Sequence, residues 1–339
     1  MLSYEEFTEE LAKMLPDFLP EDLKERGVEI EPLVTTNDQH RDVLMPAGSP
    51  EGVSGKPLMY LDDAYRQYRK EEMSMEKACG MIAGTLAESM RRIPDVNRID
   101  QQMKPENIFI SLINLKETRE YLKNIPHLVL GDLAVVYKIP VQDEKMGQGT
   151  VTVNKALMER MELSEEKLFM TAYVNMTTTM PLMVERMQDT LFLDPSAMNG
   201  KTSFTFNELD GLETDDCNMF VVSNENRFWG DGFILMKENI EKLSEKLNSS
   251  LIIIPSSVHE TIVVPDTIPD LVENCLAMVK DVNESTVEPR ERLSDSIYRY
   301  DRERGELELH TQDGDVRDIR LEHPDEIRET VKNRNGQER

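Results

Sequence analysis

Cysteine is scarce in this chain: Cys79, Cys217 and Cys275 are far apart and form no CxxC pair. So small and odd a set builds neither a disulfide framework nor a thiolate zinc site, and it suits a reducing compartment in which each thiol is a small buried hydrophobe. Histidine is equally thin. His40, His127, His259, His310 and His323 show neither HExxH nor any paired spacing, so no metal and no cofactor is expected. Long apolar runs are missing too: no stretch approaches the roughly 20 residues that cross a bilayer. The amino terminus, MLSYEEFTEELAKM, has no basic segment leading into an apolar one, and a soluble cytoplasmic protein without membrane partners is expected. Positive charge is the last shortage. With 39 Lys and Arg against 65 Asp and Glu, the net charge is −26, which repels a phosphate backbone and excludes nucleic acid as the expected partner.

What is present is enough for a large core. The chain has 339 residues, 39% of them hydrophobic and 31% charged, with 21 methionines, a balance that supports globular folding with exposed helices. The most apolar stretch is LIIIPSSVHETIVV at residues 251–264. Two β-branched runs flank a short polar connection, and Pro255 removes a ladder donor, so a central antiparallel pair with a bulge or break at Pro255 is predicted. Ser3 with Glu6 makes a capping box ahead of Phe7, Leu11, Met14 and Leu15, a helix expected to stop at Pro16. Further helices are predicted over residues 61–70 and 75–92, the second with Ala78, Ile82, Leu86 and Met90 on one stripe. The Gly- and Pro-rich residues 37–57 read as an exposed loop. Its Gly52, Gly55 and Lys56 do not make a phosphate loop, because Pro50 and Pro57 stand where that motif needs Gly and Ser or Thr.

The fold class that follows is α+β: a mainly antiparallel, mixed sheet covered by helices, with a helical amino-terminal region. One sheet is expected to contain residues 133–140, 150–153, 218–223, 250–254 and 260–264. The domain organisation predicted is a helix-rich region at 1–104, an α+β sheet domain at 105–300, and a terminal hairpin at 298–310 with a charged, mobile tail over the rest of 301–339.

Two loops invite a chemical reading. Ser257 and His259 lie two residues apart after an apolar strand, and a hydroxyl beside an imidazole is the raw material of nucleophilic catalysis, with Asp132 or Glu260 as the orienting acid. The alternative is a structural turn in which serine hydroxyls satisfy backbone amides. The second loop, SNENRFWGDGF at residues 223–233, follows a strand and precedes a helix. Free amides there suit anions, but GDG lacks the dinucleotide spacing and brings its own acid, so a turn packed by Trp229 is expected.

Five segments carry a resemblance: IPHLVLGDLAVVY at 125–137, AYVNM at 172–176, NMFVVSN at 218–224, IIPSSVHETIVVP at 253–265 and LSDSIYRYD at 293–301. Together they resemble a family of uncharacterised bacterial proteins, a domain of unknown function found mostly in anaerobic gut Gram-positives, over about residues 1–301 in layout. The resemblance implies a coherent fold and brings no activity, cofactor or catalytic residue. The functional expectation is therefore a non-catalytic protein-interaction module working through a protein partner or self-association. The alternative is a hydrolase-like enzyme using Ser257 and His259.

Overall fold

The computed structural model describes residues 2–34, 40–47, 58–92, 96–145, 147–190, 202–214, 219–227, 229–285 and 292–324. The chain divides into two units: Met1–Lys104 with Pro140–Val151, and Pro105–Ile139 with Thr152–Arg339.

In the first unit the order is α1 (Tyr4–Phe18), α2 (Glu21–Arg26), β1 (Val28–Val34), β2 (His40–Pro46), β3 (Met59–Tyr60), α3 (Leu61–Lys70), α4 (Met75–Arg91) and α5 (Val96–Gln102). Ser3 starts α1 as expected: its hydroxyl accepts the Glu6 N–H at 3.2 Å and the Glu6 carboxylate accepts the Ser3 N–H at 2.8 Å. Phe7, Leu11 and Leu15 on one face of α1 then join Ala78, Ile82 and Leu86 of α4 in one buried cluster. The helix runs two residues past Pro16. A proline in the last turn removes only the bond to the carbonyl four residues back, that of Ala12, and leaves that oxygen without its helical donor. The stretch expected to be loop contains β2, which pairs antiparallel with all seven residues of β1; its remaining residues, 37–39 and 48–57, lie outside the described ones. Arg41 on β2 ties this hairpin to α3, with two guanidinium nitrogens on Asp62 at 2.7 and 2.9 Å and the Tyr60 ring 3.8 Å beneath it.

After α5 come β4 (Phe109–Asn114), β5 (Leu128–Leu130), β6 (Leu133–Asp143), β7 (Gly147–Thr152), α6 (Lys155–Arg160), α7 (Glu165–Thr179), β8 (Leu182–Arg186), α8 (Met187–Thr190), β9 (Ser203–Thr205) and β10 (Phe220–Asn224). The chain then continues through α9 (Lys237–Leu247), β11 (Leu251–Ser257), β12 (Glu260–Pro265), α10 (Leu271–Ser285), β13 (Ile297–Asp301), β14 (Glu306–His310), β15 (Val316–Ile319) and β16 (Leu321–Glu322). Helices and antiparallel sheets make this an α+β protein.

The strands fall into two larger sheets rather than the single one predicted. One is eight-stranded, in the order β15-β14-β13-β11-β12-β10-β8-β9, and the other runs β16-β5-β6-β4 with β7 beside β6. Apolar runs identify strands but do not name their partners, which is why β6 and β7 separate from β10, β11 and β12. At the centre of the larger sheet, Leu251, Ile252 and Ile253 are fully buried although they alternate between faces. Ile252 and Ile254 meet Cys275 and Val279 of α10, so a helix covers one face of the run. The predicted irregularity at Pro255 is a register shift between Pro255 and Ser257. Beyond His310 the chain is not a loose tail as far as Glu322: β15 pairs with β14, and β16 with β5. Backbone pairing holds these residues despite their polarity, since edge strands need few apolar side chains.

Candidate functional site

The two loops singled out by the sequence meet through backbone. Trp229, in the left-handed region at φ 53°, is buried and stacks on Phe109 of β4 with ring centroids 5.3 Å apart. The chain then enters a 3₁₀ turn, Gly230–Leu235. The Gly230 N–H donates to the His259 carbonyl at 3.2 Å, the Ser223 hydroxyl donates to the same oxygen at 2.6 Å, and Thr261 Oγ1 donates to the Gly230 carbonyl at 3.1 Å. There is no room for a side chain: a Cβ on Gly230 would stand 2.4 Å from the His259 oxygen, and one on Gly232 2.5 Å from the Met176 methyl.

Between these glycines lies Asp231, fully buried. Its Oδ2 accepts the Leu112 N–H at 2.6 Å, while Oδ1 has no partner. Ser111 Oγ is the other buried side-chain oxygen without one among the described residues. Burial pushes the Asp231 carboxyl up to about 7, opposed by the Leu112 amide and by Lys138. Lys138, opposite Phe109 in the β4–β6 register, is half-buried, and burial lowers its ammonium pKa. Sequence reasoning took this loop for a turn packed by Trp229, and Trp229 does pack it. It passed over Asp231, for which the available signal was an acid between two residues without side chains, a pattern that lets walls close around a carboxylate.

Ser257, His259 and Glu260 share the β11–β12 connection. Ser257 Oγ accepts the His259 backbone N–H at 3.2 Å, so the hydroxyl caps the turn, and the imidazole is exposed. Glu260 faces Arg227 at 3.7 Å. Asp132 stands elsewhere, in the β5–β6 turn after Gly131 at φ 65°. Its carboxylate accepts from the Ser294 hydroxyl at 2.6 Å and from the Tyr298 hydroxyl. Burial, then the Asp132 charge, raises the Tyr298 phenol well above its ordinary range. The structure thus gathers three of the four candidate residues on one turn and gives Asp132 two hydroxyl partners on the approach to and within β13.

The first unit has an open groove of about 590 Å³ formed by α1, α2 and the β1–β2 hairpin. Ala12, Pro16, Leu19, Val28 and Ile30 give it apolar walls, with Asp17 and Lys24 as its charged members. No group of three His, Cys, Asp or Glu among the described residues is arranged to hold a metal ion. No described helix is long and apolar enough to cross a membrane. In comparisons with known proteins, residues 4–302 match the model of a family of unknown function, DUF5688. No curated protein and no solved structure matches the chain.

Proposed function

The chain belongs to DUF5688, a family that lends it no activity, and we propose from its own geometry that it is a non-catalytic cytoplasmic module that binds a partner protein through the groove of its first unit. The carrying observation is that groove: apolar walls, a volume of about 590 Å³ and two charged residues, the make-up of a site for apolar anchor side chains. The expected occupant is an amphipathic segment with basic flanks. Its apolar side chains fill the groove. Its Lys or Arg residues answer the exposed Glu21, Asp22 and Glu25 on α2 and Glu29 on β1, in a chain of net charge −26. The Ser257 oxygen accepts the His259 backbone N–H, the bond of a structural turn, and this supports the turn reading over the hydrolase reading.

Fluorescence anisotropy tests the proposal with a labelled peptide carrying Leu at helical spacing between pairs of Lys. The full chain should bind it, and Ala12→Arg or Ile30→Asp should each weaken binding by about tenfold or more while the chain stays folded. Ile30 is 36% exposed and stands outside the buried cluster of the first unit, and a cooperative melting profile for each variant separates lost binding from lost folding. Undiminished binding by both variants, or none by the unaltered chain, would remove the groove as the docking surface.

A further inference from the structure

Asp231 has no part in the groove, yet it is the most unusual group in the second unit. β4 ends its sheet, so one side of it presents backbone groups with no neighbouring strand, and the Leu112 N–H on that side is satisfied by the Asp231 carboxyl at 2.6 Å. The 3₁₀ turn bearing Asp231 is fixed on its other side to β10 and β12 through Ser223, His259 and Thr261. One carboxyl therefore joins the edge of the smaller sheet to the larger one. We propose that this seam is a proton-binding site, in which Asp231 is held as the neutral acid and its ionisation loosens the turn from the edge of β4.

The geometry favours the proton. An ionised carboxylate spreads its charge over both oxygens, whereas the one short hydrogen bond, from the Leu112 amide, goes to Oδ2 and Oδ1 is buried without a well-formed one. The charged side chain acting on it is Lys138 from β6; the other groups that hold the charged form are the amides of Leu112, Gly232 and Asp231 itself. From α7 the neighbour is the uncharged Met176. These do not compensate for burial, and the carboxyl sits at about 7 against an ordinary 3.8. The folded chain thus holds a proton that the unfolded chain has released across this window. The stabilisation is complete below the unfolded value, declines as pH rises towards about 7, and levels off above it. Because the His259 carbonyl is shared by Gly230 and Ser223, loosening the turn also loosens the exposed Ser257–His259 connection.

The decisive measurement is the carboxyl ¹³C titration of Asp-labelled full-length protein, with the Asp231 signal assigned by its loss in Asp231→Asn. A midpoint near 7 is expected. The melting temperature of the unaltered chain should fall from about pH 5.5 to about pH 8.5 more steeply than that of Asp231→Asn, which should be the more stable at the upper end. If Asp231→Asn does not fold, Lys138→Met gives the second reading: removing the one cation should move the Asp231 midpoint upward. A titration midpoint below about 5, or parallel melting profiles for the two chains, would overturn the proposal.

Discussion

At Gly230 the backbone of one loop lies where a side chain would have to be. A Cβ there falls 2.4 Å from the His259 carbonyl oxygen and 2.9 Å from the Ser223 Cα, both backbone atoms that cannot swing aside. Gly230→Ala should therefore cost about 1–3 kcal/mol in a urea titration, in the range of overpacked core substitutions. Gly84 in α4 is the contrasting case, with nothing within 4 Å of an added Cβ. Gly84→Ala should stabilise by about 0.5–1 kcal/mol through helix propensity, and equal effects at the two glycines would refute the contact argument. The same residues mark what the sequence concealed. Ser257 was legible as a turn cap because its partner lies two residues away. Asp231 was not, because its partner Leu112 is 119 residues distant and only the completed sheets create an edge for it to satisfy.

Among the elements, α7 shows how one polar side chain seats a helix. Ser164 caps it by accepting the Lys167 N–H at 3.3 Å, and Asn175 in its third turn donates to the carbonyls of Pro105 and Ile108 at 2.8 and 2.9 Å. Those carbonyls lead into β4, against which α7 packs. Asn175→Ala should leave two acceptors without a donor and cost about 1–3 kcal/mol, with the loss seen as faster amide exchange in β4 and α7 together. A loss confined to α7 would show that Asn175 serves its own helix only. Element identity was well marked in the sequence where capping and periodicity agreed, as in α1, and where periodicity was regular, as in α4. The predicted β11–β12 pair was equally clear, since a β-branched run broken by Pro255 has few alternatives. Partnership between strands was not marked, because β6 and β11 look alike as apolar runs and differ only in where the chain carries them.

For the molecule as a whole, charge dominates behaviour in solution. A net charge of −26 repels itself, and raising salt from about 0.01 M to about 0.15 M shortens the screening length from about 30 Å to about 8 Å. The melting temperature should rise over that range, and duplex DNA should give no gel shift at the upper end. A salt-sensitive shift would defeat the exclusion of nucleic acid. The order of strands adds a consequence in time. β16 completes the smaller sheet by pairing Leu321 with Leu130 and Glu322 with Val129, and His323 beside it meets Glu165 at 2.5 Å. A ribosome delivers β5 long before β16, so the edge of β5 leaves the exit tunnel bare and stays so until the last strand follows. The groove of the first unit is lined by residues that all fall between Ala12 and Leu44, so its whole lining is synthesised before any strand of either larger sheet.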